Sequence, residues 1–133
     1  FCKWIALYVL SVAAETYTMN VADEQEVLGD IADMVGRVYA LDSVVQRVRQ
    51  IMAGGDERRT RIARDILTAF APPAYGFVVH TGRHLLMDMC EEPALSQHLG
   101  MVDTLRMDWP TKVIAAKRRI AQAVLEADGY PLT

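Results

Sequence analysis

A chain of 133 residues, with 52% apolar residues, 23% charged residues and a net charge of −3, has the makeup of an ordinary globular protein with room for one domain and a real core. That charge balance gives no general reason to bind nucleic acid, so nucleic-acid partners are not expected. The two cysteines, Cys2 and Cys90, fit no metal or redox spacing, which excludes a disulfide framework and points to a reducing compartment.

The first fourteen residues, FCKWIALYVLSVAA, carry a single Lys. They fall short of the ~20 residues a membrane helix needs, and they lack the charged start and cleavage site of a signal peptide. The run does not begin with Met. It reads as a helix cut from a longer chain or buried all round, reaching Met19 or thereabouts.

Asp23 then caps a second helix, with Glu26 three residues on in an acidic version of the capping box, and Gly54 and Gly55 mark its end. The resulting length, about thirty residues, is that of a long central helix in a bundle. Val27, Ile31, Met34, Val38, Leu41, Val45, Val48 and Met52 follow steps of four and three, the seam of helices crossing at about 20°. Asp42 and Arg49 lie closest to that seam among the polar residues. Charges beside a core need partners, so ion pairs to a neighbouring helix are expected there, serving assembly. Gly29, Gly36 and Ser43 recur every seven residues on the opposite face. Either a second neighbour packs on them or a solvent face tolerates them.

Asp56 caps a third helix that reaches Pro72 and Pro73, where a break or sharp kink is expected, with Pro73 opening the next helix. Glu91, Glu92 and Pro93 interrupt again, and a short amphipathic piece runs to Met107 or thereabouts. Asp108 caps the last helix, with Pro110 in its first turn and Gly129 at its end. Its buried stripe is Val113, Ala116, Ile120 and Val124. No segment shows strand-like alternation, so the reading is all-α, a single domain over 1–133 formed as an antiparallel bundle of five to six helices.

Three clusters hold candidate chemistry. Glu26, Asp30 and Asp33 crowd one helix, but a carboxylate-bridged metal site needs Glu-x-x-His pairs on facing helices, and the chain contains none. A solvated face near a helix N-terminus accounts for them better. His80 and His84 share a helical face with Asp88 one turn on, a spacing that can hold zinc, yet Thr81 stands where the protease-type pattern has Glu. Partly exposed structural histidines are the commoner outcome. The last helix is basic, and Lys112, Arg118 and Arg119 form its candidate contact surface, for anionic lipid or an acidic protein. The RRTRIAR run of the third helix is read likewise, without the aromatic residues that nucleic-acid stacking needs.

LYVLSVAAETY and the stretch ADEQEVLGDIADMVGRVYALDSVVQRVRQ resemble the C-terminal region of bacterial acyl-CoA dehydrogenases of the very-long-chain branch. The strongest local match is Tyr39, Ala40, Leu41, Asp42 and Ser43 followed by Arg47 and Arg49, and AAKRRIAQAVLEADGYPLT is similar to how those enzymes end. The resemblance implies a parent whose body binds FAD and an acyl-CoA thioester, with a glutamate base, hydride transfer to flavin and electron transfer flavoprotein as acceptor. It implies no catalytic, flavin or metal residue in this chain. The helical domain is expected to pack on the parent's catalytic body, to serve a homodimer and, as in some members, to touch a membrane surface; the setting is the bacterial cytoplasm. Asp42 stands where the family more often has Glu, and Pro72 and Pro73 interrupt what is usually a continuous helix.

The assembly residues are therefore the helix-two seam with Asp42, Arg47 and Arg49. Two other classes compete with this reading. One is a free-standing helical adaptor that binds through WIALYVL, and the other is a small metal-binding bundle built on His80, His84 and Asp88.

Overall fold

The computed structural model describes residues 1–107 and 111–132, and among them every regular element is helical. The helices are α1 (Cys2–Tyr17), continued by a 3-10 turn (Thr18–Asp23), α2 (Gln25–Ala53), α3 (Glu57–Met89), α4 (Ala94–Thr104) and α5 (Val113–Ala127). Two long helices stand where one was expected, α2 with 29 residues and α3 with 33.

Several ends follow the sequence signals, and others move by a residue. The Leu28 N–H donates to the Glu24 carbonyl at 3.0 Å, so α2 opens on Glu24 and not on Asp23. Asp23 belongs instead to the 3-10 turn ahead of it. Gly54 and Gly55 donate to the Ile51 and Met52 carbonyls at 3.1 and 3.2 Å, and Gly55 takes a φ of 77°, which suits glycine. Asp56 caps α3, its Oδ1 accepting the Arg59 N–H at 2.9 Å. α5 stops at Asp128, which takes the left-handed conformation itself, while the Gly129 N–H reaches back to the Val124 carbonyl at 3.3 Å. The stop is thus one residue ahead of the expected glycine, at a residue type that tolerates this conformation better than most. The Asp108 cap and Pro110 lie outside the described residues, and α5 begins at Val113.

The expected break at Pro72 and Pro73 does not occur, and α3 runs through both. Proline's fixed φ is already helical; what it removes is the donor to the carbonyls of Thr68 and Ala69. Packing on both sides offsets that loss. Ile62 and Ala63 are buried ahead of the prolines, and Ala74, Tyr75 and Val78 are buried behind them.

The chain divides into two compact units, Phe1–Tyr39 with Tyr75–Asp108, and Ala40–Ala74 with Trp109–Thr133. In the first unit, α1, α2 and α3 converge on Gly82. A Cβ there would lie 3.1 Å from a Val9 methyl, 3.2 Å from the Met34 methyl and 3.3 Å from an Ile5 methyl. Polar contacts tie the same unit together. Tyr8 Oη and His98 Nδ1 are 2.8 Å apart, Arg83 pairs with Asp103 at 2.6 Å, and Arg37 lies 5.0 Å over the Phe77 ring. Tyr75 donates to the Leu105 carbonyl at 3.1 Å and accepts the Met107 N–H.

In the second unit, the glycine turn folds α3 back along α2. Val48, Ile51, Ile62, Ala63, Ala123 and Leu132 form its core. Arg59 Nη2 donates to the Leu132 carbonyl at 2.7 Å, fastening the C-terminal segment onto α3.

Candidate functional site

The α2 seam separates into two halves. Val27, Ile31 and Met34 are buried and Val38, Leu41 and Val45 half-buried, while further on Val48 and Ile51 are buried and Met52 is 40% exposed. In the second unit the buried stripe of α2 is Val48 and Ile51, with Val44 partly buried against the same core, and Met52 falls outside it. On α5, similarly, Ala116 and Ala123 are buried whereas Val124 is exposed.

Among the described residues, the polar residues beside the seam do not pair across helices. Asp42, Arg47 and Arg49 are all exposed. Arg47 donates to Gln50 Oε1 within α2 at 3.4 Å, and no ion pair is formed by Asp42 or Arg49 among the described residues. They lie far enough round the helix to be hydrated, so no buried charge demands a partner. Gly29, Gly36 and Ser43 are exposed as well, and a Cβ at either glycine would meet nothing within 4 Å. Among the described residues, no neighbour packs on the two glycines.

Glu26, Asp30 and Asp33 are exposed to solvent on α2. The His80 and His84 rings lie 4.3 Å apart, but among the described residues no group of three His, Cys, Asp or Glu side chains comes together to hold a metal. His98, which the sequence could not place, meets Tyr8, whose phenol burial pushes upward.

Two surfaces stand out instead. The first belongs to α1. Ile5, Val9 and Ala13 are fully buried, but Phe1, Trp4, Leu7 and Leu10 turn outward, with Trp4 63% exposed. The helix is therefore apolar all round yet buried on one side only. Trp4, Leu7, Tyr8 and Ser11 line a groove of about 370 Å³ with Met101 and Leu105 of the same unit. By length and composition the helical run Cys2–Asp23 could also cross a membrane, being longer than its fourteen-residue apolar core suggested. Its buried face packs on protein, as that of a core helix does.

The second surface is basic and belongs to the other unit. Among the described residues, Arg119 alone of the expected trio makes an ion pair, gripping Asp65 with two nitrogens, one at 2.9 Å. The bond to Asp65 pushes the Arg119 guanidinium further up. Lys112 and Arg118 are exposed. Arg58, Arg61 and Arg64 of α3 flank Arg119 around an open groove of about 440 Å³. The RRTRIAR run was the signal for them.

Compared with known proteins, residues 1–103 match the family model described as "Acyl-CoA dehydrogenase, C-terminal domain". The protein named "Probable acyl-CoA dehydrogenase" from Bacillus subtilis (strain 168) is 31% identical over 130 residues, 96% of this chain and 22% of its own length. A crystal structure of an acyl-CoA dehydrogenase complexed with FAD from Bacillus anthracis is similar with a TM-score of 0.92 at 28% identity, over 97% of this chain and 22% of that one. The chain thus spans 22% of the length of each of these relatives.

Proposed function

The chain belongs to the acyl-CoA dehydrogenase C-terminal domain family, and on that premise we propose that it is the non-catalytic helical packing domain of an FAD-dependent acyl-CoA dehydrogenase of the very-long-chain branch. The parent's reaction is α,β-dehydrogenation of a fatty acyl-CoA, with FAD in the catalytic body and electron transfer flavoprotein as acceptor. The observation that carries this reading is the match of residues 1–103 to the family model, supported by similarity over nearly the whole chain to the FAD-bound relative. In this reading the flavin sits elsewhere in the parent, and these residues pack, orient and assemble.

The outward face of α1 supports a packing role. A contiguous stripe of Phe1, Trp4, Leu7 and Leu10 is costly to leave in water and characteristic of a surface that another protein surface covers. We place the catalytic body of the parent on that stripe, and we assign the family's homodimer, the cytoplasmic setting and a peripheral membrane contact to the parent as a whole. Exposed Tyr39, Asp42 and Ser43 of α2, with Arg47 and Arg49, are further candidates for assembly contacts.

The test is a Trp4→Ser, Leu7→Ser variant of the full-length parent. Both side chains are exposed in this chain, so its own fold should tolerate the change. Thermal release of flavin, followed by fluorescence, should come at lower temperature because the packing domain no longer grips the body. An unchanged release temperature would count against the packing role. A flavin absorbance band or acyl-CoA oxidation by these 133 residues alone would refute the non-catalytic assignment.

A further inference from the structure

The net charge of −3 hides a strong segregation. The unit formed by Ala40–Ala74 and Trp109–Thr133 holds ten of the 14 Lys and Arg residues and only six of the 17 Asp and Glu residues. Much of that positive charge is gathered in one place. Arg58, Arg61 and Arg64 stand at successive steps of three along α3, and all three are exposed. None has a side-chain hydrogen bond or ion pair among the described residues. Residues three apart on a helix are surface neighbours, so these guanidiniums repel one another and present unmet donors to the same solvent.

Arg61 and Arg64 line two grooves at once. One, of about 440 Å³, is completed by Arg58, Arg119, Asp65 and Glu126. The other, of about 380 Å³, is completed by Thr60, Gly55, Glu57 and Met52. The acids there do little to cancel the charge. Asp65 is held by Arg119, Glu126 accepts from Gln122 at 3.0 Å, and Glu57 lines only the second groove.

We propose that Arg58, Arg61 and Arg64, with Arg119 and the Thr60 hydroxyl beside them, form a binding site for ligands carrying more than one phosphate group. Three features set this chemistry. Every cation is an arginine, whose planar fork matches phosphate oxygens two at a time where lysine offers a single point charge. The central pair faces both grooves, so a polyphosphate can be gripped at successive phosphates. The guanidiniums of Arg58, Arg61 and Arg64 are already exposed and unpaired, so binding them breaks no internal contact. A soluble polyphosphate and a lipid headgroup with more than one phosphate both carry the group that the site recognises. This inference rests on the charge pattern of one unit and not on the dehydrogenase reading.

The experiment titrates the 133-residue chain with sodium tripolyphosphate by calorimetry at low salt, and in parallel sediments it with phosphatidylcholine vesicles with and without phosphatidylinositol bisphosphate. Binding in either arm should weaken by about tenfold or more in an Arg61→Gln, Arg64→Gln variant. It should survive in a Lys3→Gln, Arg49→Gln variant, which removes the same charge away from the grooves. Binding of tripolyphosphate identifies a soluble ligand, and binding of the acidic vesicles alone identifies a headgroup. No binding in either arm overturns the proposal. So does equal loss in the two variants, because that would be attraction to charge in general.

Discussion

Gly82 and Gly36 are both helical glycines of the same compact unit, and the same substitution should move stability in opposite directions at the two. At Gly36 a new methyl meets nothing, so Gly36→Ala gains only the helix preference of alanine, about 1 kcal/mol. At Gly82 the methyl would lie 3.1 Å from Val9 and 3.3 Å from Ile5, both through branched Cγ2 methyls, and 3.2 Å from the end of Met34. Carbon atoms rest about 3.5–4.0 Å apart, so all three neighbours must yield by a few tenths of an ångström. Met34 can swing, but the β-branched pair is stiff at χ1. Overpacking of this kind costs about 1–3 kcal/mol, which outweighs the same helix gain and leaves Gly82→Ala about 1 kcal/mol less stable than the parent. Urea unfolding followed by circular dichroism reads both, with unchanged slope as the check that only stability moved. The variants should then differ by about 2 kcal/mol, or roughly 6–10 °C in Tm. A Gly82→Ala protein as stable as the parent would refute the convergence of three helices on that backbone. A destabilised Gly36→Ala would mean that its face is covered.

Leu86 is fully buried, so Leu86→Ala should cost about 2–5 kcal/mol in the same urea assay, and a loss under 1 kcal/mol would contradict its place in the core. Removing residues 129–133 strips Leu132 from the core of the second unit and leaves Arg59 Nη2 without its carbonyl; about 3 kcal/mol of stability should be lost, measured by thermal unfolding. Burial raises both Cys2 and Cys90 above the ordinary thiol value. The fold therefore favours the protonated thiols. Their contribution to stability is complete at neutral pH and declines as pH rises through the ordinary thiol range toward the raised values. At pH 7.5 or so a thiol reagent should label the native chain much more slowly than the urea-unfolded one, and equal rates would contradict the burial.

The sequence was most legible where a local signal and the tertiary fold agreed. Asp56 caps α3, Gly55 takes the left-handed turn, and Val27, Ile31 and Met34 face the core as their spacing requires. It was least legible where packing overrode local chemistry. Pro72 and Pro73 read as a break but are carried through by the buried residues on either side, and Asp23 loses the cap to Glu24 because a 3-10 turn absorbs it. The apolar α1 could not reveal that Trp4 and Leu7 stay outside, since composition alone does not say how many neighbours a helix has. Nearness to a seam suggests partners for Asp42 and Arg49, yet both are exposed and form no ion pair among the described residues. The pairs that do form, Arg119 with Asp65 and Arg83 with Asp103, join positions far apart in sequence and leave no periodic trace. Gly82 gave no signal either, because a glycine that admits three neighbours looks like any other until they are placed around it.

The most direct test of the proposed role is to read the gene upstream of the Phe1 codon. The account predicts an open frame that continues into a flavin-binding acyl-CoA dehydrogenase body. A stop codon in that frame, followed by a start codon immediately ahead of Phe1, would contradict it.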